Sequence, residues 1–147
     1  MKKTIKKITI AFLTATSLLS IPFSVSASTT DSTFSNKPVG FTFDKAYISP
    51  KRVKDNSSSV YMKSNVQIAL DVRTLGSNVS TGSNGINYTK NGKAYITQGS
   101  WFIYNSIKEN GCGYANINVT TYYQNTSGII SGAWSPDSVG TYTVANP

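Results

Sequence analysis

The sequence predicts an all-β fold, a small antiparallel sandwich or open barrel, and three observations carry that prediction. Apolar residues recur with period two in Ser59 to Leu75 and again in Tyr114 to Tyr123, as half-buried strands require. Clusters of Gly, Ser, Asn and Pro punctuate these runs, and helical periodicity is scarce. No repeat of solenoid or propeller spacing and no heptad pattern is present.

The chain opens on a basic stretch, Lys2, Lys3, Lys6 and Lys7, followed by an apolar run from Ile8 to Phe23 and the small residues Val25-Ser26-Ala27. That order is a secretory signal peptide cleaved after Ala27. Of the 147 residues, 120 then remain, enough for one domain. Four of the 14 basic residues leave with the signal, so the whole-chain charge of +8 falls to +4. The remaining charges are scattered, which suits weak attraction to an anionic wall or membrane surface and gives nucleic-acid binding no support.

Ser28 to Pro38 is Ser/Thr-rich and nearly free of apolar residues, and is expected to be a flexible arm before a single β domain over 39–147. Phe41 and Phe43 alternate with Thr42 as a short strand, and Ala46-Tyr47-Ile48 follows before a stop at Ser49-Pro50. Lys51, Arg52 and Lys54 then form the densest basic cluster outside the signal, in a polar loop that could contact an anionic surface. In Ser59 to Leu75, Val66, Ile68, Leu70 and Val72 share one face and Gln67, Ala69, Asp71 and Arg73 the other, with Val60-Tyr61-Met62 as an earlier strand or the start of the same one. Gly76 to Gly85 reads as a long loop.

Ile86-Asn87-Tyr88 and Ala94-Tyr95-Ile96 flank Asn91-Gly92, the preferred pair for a tight hairpin turn, so the two runs are expected to pair with each other. Trp101 to Tyr104 is the most apolar aromatic run and fits a strand covered on both faces; Asn105 to Glu109 could add one helical turn. Tyr114 to Tyr123 alternates, with Ala115, Ile117, Val119, Thr121 and Tyr123 on a buried face and Tyr114, Asn116, Asn118, Thr120 and Tyr122 on a wet one. Ile129 to Trp134 makes a further strand and Thr141 to Val144 a last one.

Chemistry is limited by what is missing. The chain has no histidine, so Ser-His-Asp and Cys-His arrangements, His-ligated zinc and a His general base are excluded. Cys112 is the only cysteine, which rules out an intramolecular disulfide and leaves a buried residue, an intermolecular disulfide or a thiol with no imidazole to activate it. The carboxylates Asp31, Asp44, Asp55, Asp71, Asp137 and Glu109 show neither a glycosidase pairing nor calcium-loop spacing. No enzyme, cofactor or metal is expected. Tyrosine and tryptophan are plentiful, and their amphipathic rings stack on sugars as readily as they pack within sheets. Tyr114 and Tyr122, on the polar face of one strand, are the best candidates for a ligand platform.

The most distinctive run is Ser131-Gly132-Ala133-Trp134-Ser135-Pro136-Asp137-Ser138. Gly132 permits close backbone approach, Trp134 is either a core anchor or a binding ring, and Ser135-Pro136-Asp137-Ser138 has turn composition. Together with Tyr114-Ala115-Asn116-Ile117-Asn118-Val119, this run resembles small Sec-exported Gram-positive proteins of unknown function that end in an S-G-x-W-S-P-D-S-type motif. The resemblance covers about a quarter of the chain and implies an extracellular β domain, with no catalytic residues to carry over. Size, export signal and β pattern are also similar to Sec-exported β-sandwich bacteriocins of the lactococcin 972 type, although their Gly-Gly-x-Trp and His-containing patterns are absent and the mature chain is longer.

The expectation that follows is a secreted, non-enzymatic β domain that associates with the cell envelope, through a wall polymer, glycan or membrane surface. Its candidate binding residues are Tyr114, Tyr122, Trp134, Lys51, Arg52 and Lys54. The alternative is a bacteriocin-like or pore-forming antagonist.

Overall fold

A computed structural model of the chain describes residues 30–147. The signal peptide expected over Met1 to Ala27 lies outside the described residues. The strands are β1 (Ser32–Gly40), β2 (Tyr47–Ile48), β3 (Arg52–Val53), β4 (Val60–Ser64), β5 (Leu70–Ser77), β6 (Ile86–Asn87), β7 (Ala94–Ile96), β8 (Gly99–Ile103), β9 (Tyr114–Thr121), β10 (Ser127–Ser135) and β11 (Thr143–Val144). They form two sheets. The first runs β1-β10-β4-β8-β11 and the second β2-β9-β5-β6, with β3 also on β9 and β7 also on β5. All pairings are antiparallel except β11 with β8. The fold is an all-β sandwich.

The core lies between the sheets. Phe34, Val39, Val60, Met62, Ile103, Ile130 and Trp134 from the first meet Leu70, Val72, Ala94, Ile96, Ile117 and Val119 from the second. These are the inward positions of period-two strands, so burial of one alternate set drives the two sheets together. A satellite cluster of Ile107, Cys112 and Ala115 packs with Tyr88 at one end, which makes Cys112 a small buried apolar residue.

Local expectations are corrected in four parts of the chain. The arm expected over 28–38 is, from Ser32 onward, strand β1, paired with β10 from Ser32 opposite Trp134 to Gly40 opposite Ser127. An edge strand covered on one face needs few apolar residues, and Phe34 and Val39 suffice. Its other edge is blunted by Pro38, Lys37 and a register shift at Asn36, which sits at φ 52°. Phe41 and Phe43 form a loop with a single 3-10 turn instead of a strand.

Second, Val66 and Ile68 lie outside any strand, and β4 and β5 are separate elements joined by Asn65 to Ala69. Third, β6 and β7 do not form a hairpin. Both run antiparallel to β5, Ile86 opposite Gly76 and Ile96 opposite Leu70, as one strand interrupted by a looped-out tip. Asn91 and Gly92 do take positive φ (62° and 80°), but the tip they turn pairs with the segment after β8, where the Lys90 N–H donates to the Tyr104 carbonyl at 2.9 Å. Asn146 holds the tip, donating to the Lys90 carbonyl at 2.9 Å, and the Thr89 hydroxyl fills the missing rung by accepting the Thr74 N–H at 2.7 Å.

Fourth, the face of β9 expected to be wet is covered, with Asn116, Asn118 and Thr120 each at most 2% exposed. β9 is flanked by β2 and β3 on one side and β5 on the other. The loop after β5 folds over its outer face, where Asn116 donates to the Ser83 carbonyl at 3.3 Å. The expected helical turn before Cys112 is present, with the Asn110 N–H donating to Ser106 O at 3.1 Å.

Candidate functional site

The Ser131 to Ser138 run is assembled as architecture. Gly132 lies against β4 so closely that a Cβ there would stand 2.0 Å from the Lys63 carbonyl oxygen and 2.9 Å from the Phe34 ring. Only glycine fits. Trp134, 1% exposed, is seated in the core and is no surface platform; the Arg52 guanidinium lies 5.9 Å from its ring centre.

Asp137 reaches across to Lys54. The ammonium is 2.8 Å from Asp137 Oδ1 and both side chains are fully buried. The remaining lone pairs of the carboxylate accept the Asp55 N–H (2.9 Å) and the Asn56 N–H (3.3 Å), and Lys54 also donates to the Ser58 carbonyl at 2.6 Å. Burial lowers the Lys54 pKa, an effect that the hydrogen bond and charge of Asp137 oppose. Every group in this pair is satisfied internally, so it joins the 54–58 loop to the end of β10 and offers nothing to a ligand.

The other cations of the same cluster are also engaged. Lys51 donates to Ser77 Oγ at 3.0 Å and to the Thr81 carbonyl at 2.9 Å, tying down the loop after β5. Arg52 donates to the Thr30 carbonyl and, at 3.5 Å, to that of Trp134. The basic run expected to face an anionic surface therefore serves the fold. No local pattern distinguishes the two uses, because apart from the Ser58 carbonyl the acceptors come from residues 22 to 83 positions away.

Tyr114 and Tyr122 do not act together. They sit at opposite ends of β9, about 26 Å apart along an extended strand, and Tyr114 is half-buried opposite Val53 and Ser77. Tyr122, just past the strand, stands at a different site.

There, Tyr122 meets Tyr95 edge-to-face at 4.8 Å and 84°, and Tyr123 at 4.9 Å and 89°. All three rings are exposed, at 38%, 44% and 58%. The Lys93 ammonium lies 5.2 Å from the Tyr122 ring centre and 2.7 Å from Asp71 Oδ2. Asp71 is buried on β5, opposite Tyr95 on one side and Thr120 on the other, and its Oδ1 has no hydrogen-bond partner among the described residues.

Two residues along the same face of β5, Arg73 reaches Thr120 Oγ1 at 3.5 Å and stacks over Phe43, its guanidinium 4.8 Å from the ring centre. Phe43 is 64% exposed. Among the described residues, Arg73 forms no ion pair. The outer face of the second sheet thus carries a continuous strip, Phe43–Arg73–Thr120–Asp71–Lys93–Tyr122, broadened at one end by Tyr95 and Tyr123. Aromatic plates bracket two cations.

Tyr122 alone of this strip was legible as a candidate. Alternation places Tyr123 on the buried face, but β9 ends at Thr121 and releases it. Tyr95, Lys93, Asp71 and Arg73 meet only through the pairing of β5 with β7 and β9, and Phe43 arrives from a loop. The register that joins them is not written in any local stretch.

Among the described residues no group of three His, Cys, Asp or Glu side chains could hold a metal ion, and no helix is long and apolar enough to cross a membrane. Fold and surface define the class: an all-β sandwich bearing an aromatic and cationic strip on one outer face. Residues 22–138 match the family model described as "Protein of unknown function (DUF2712)", and the chain belongs to that family. Comparison with curated proteins and with solved structures gives no match.

Proposed function

We propose that this protein is an exported, non-enzymatic β-sandwich domain that binds an anionic glycan of the cell envelope. The observation that carries the reading is the strip from Phe43 to Tyr123, in which exposed rings flank Arg73 and Lys93. Tyrosine rings stack on the apolar faces of sugars, and a guanidinium without a carboxylate partner pairs with phosphate or carboxylate on the same polymer. The unpaired Asp71 Oδ1 beside Lys93 adds an acceptor for a sugar hydroxyl once a ligand parts the side chains above it. Export is supported by the N-terminal run from Lys2 to Ala27, and a Gram-positive source by its lysine-rich start and the lone cysteine. Lack of histidine favours binding over catalysis. We read the Ser131–Ser138 run as a structural signature, since Trp134 and Asp137 are both buried.

Sedimentation of the mature protein with purified Gram-positive walls tests this, using walls before and after chemical removal of their anionic polymer. Intact walls should retain the protein at low salt, stripped walls should release it, and Tyr122→Ala should lose retention. Equal retention on both wall preparations, or none on either, would sink the proposal.

A further inference from the structure

The opposite face of the sandwich carries a second aromatic group with different electrostatics. On the outer face of the first sheet, Ser135 of β10, Tyr61 of β4 and Phe102 of β8 stand side by side in one row. Tyr142, from the loop before β11, leans on this row. Its ring centre is 5.1 Å from that of Tyr61 at 39°, and 5.1 Å from that of Phe102 at 90°. The Tyr61 hydroxyl is fixed by Ser100 Oγ at 3.1 Å, so the wall is held in place.

Between this wall and the start of β1 lies a cleft of about 380 Å³, lined by Asp31, Tyr61, Ser135, Ser138, Val139 and Tyr142. Its volume is at the small end of ligand pockets. Position is enforced on both sides. Ser32 pairs with Trp134 in register, and Arg52 holds the Thr30 carbonyl, so Asp31 is fixed between them.

The charges facing the cleft differ in kind. Asp137, at its base, is neutralised by Lys54 and by two backbone amides. Asp31 is exposed and, among the described residues, forms no ion pair. Among the described residues, no lysine or arginine lines the cleft. One carboxylate facing two tilted phenol rings, without a competing cation, selects a small organic cation: the ring faces attract positive charge and the carboxylate completes the cage.

We infer that the Asp31–Tyr61–Tyr142 cleft binds an organic ammonium group, primary or quaternary, at a site separate from the strip on the other face. An anionic polymer would be repelled by Asp31, and a neutral sugar would offer it only hydroxyl hydrogen bonds, without the charge attraction that an ammonium supplies.

Titration of the mature protein with choline, methylammonium and glucose, followed by two-dimensional NMR, tests the site. Choline and methylammonium should produce saturable shifts at Tyr61, Tyr142 and Ser138, and glucose none. Asp31→Asn, an exposed change that leaves the core alone, should weaken choline binding about tenfold, and Tyr142→Ala should abolish it. Arg73→Gln, on the far face, should leave choline binding intact and so separates this site from wall binding. No shift with either ammonium, an equal response to glucose, or unchanged choline affinity in Asp31→Asn would overturn the inference.

Discussion

Lys54–Asp137 and Lys93–Asp71 are chemically the same pair, 2.8 and 2.7 Å between nitrogen and oxygen, yet they sit in opposite surroundings. In the first, both side chains are fully buried and every polar atom of the pair is bonded within the chain. In the second, the lysine is 48% exposed, its ammonium faces a tyrosine ring, and one oxygen of the aspartate has no partner. Burial decides the role. A pair desolvated on both sides is intolerant of losing either member, whereas a buried carboxylate paired with an exposed lysine leaves that lysine cheap to exchange for another donor and available to a ligand.

The comparison breaks most sharply at Asp137. Asp137→Ala strands a buried ammonium and two backbone amides, and should destabilise the domain by about 3–5 kcal/mol in urea unfolding. Lys54→Met should cost less, because the Asp137 carboxylate keeps its two amide donors. Equal losses would mean that the ion pair, and not the amide contacts, holds the 54–58 loop. Trp134→Ala should also cost about 3–5 kcal/mol, since the ring is in the core. Gly132→Ala should cost about 1–3 kcal/mol, because the added methyl meets the Lys63 carbonyl and β10 must shift from β4.

At the surface pair, Lys93→Gln should change stability by no more than about 1 kcal/mol while weakening wall retention. A large stability loss there would erase the distinction between the two pairs. The smallest effect concerns alkaline pH. Because burial holds the folded-state pKa of Lys54 below its unfolded value, the folded chain sheds that proton first. Between the lowered and the ordinary lysine pKa the unfolded state binds more protons, so Lys54's contribution to stability should rise with pH across that window and level off above it. Comparing wild type with Lys54→Met by thermal melts at graded alkaline pH isolates the contribution.

The architecture was largely legible because alternation is a local signal. Tyr114 to Thr121 and Leu70 to Arg73 carry their inward residues at every second position, and Ile117, Val119, Leu70 and Val72 are buried as that spacing requires. β1 was missed because an edge strand borrows its hydrogen bonds from β10 and needs only Phe34 and Val39 to face the core. The aromatic and cationic strip was legible at Tyr122 alone. Lys54 and Asp137 are 83 residues apart, and nothing near either one signals that one lysine of a basic run turns inward while its neighbours stay partly exposed. Tyr95 and Tyr122 likewise meet through strand pairings, and such pairings are fixed by the whole sheet.

If the outer strip binds while the buried pair only holds the fold, stability and retention must separate when unfolding midpoint and wall retention are determined together for Tyr122→Ala. Unchanged stability with lost retention is the result predicted for an exposed ring that contacts glycan. Retention equal to wild type in the folded variant would rule out the strip as the wall-binding face.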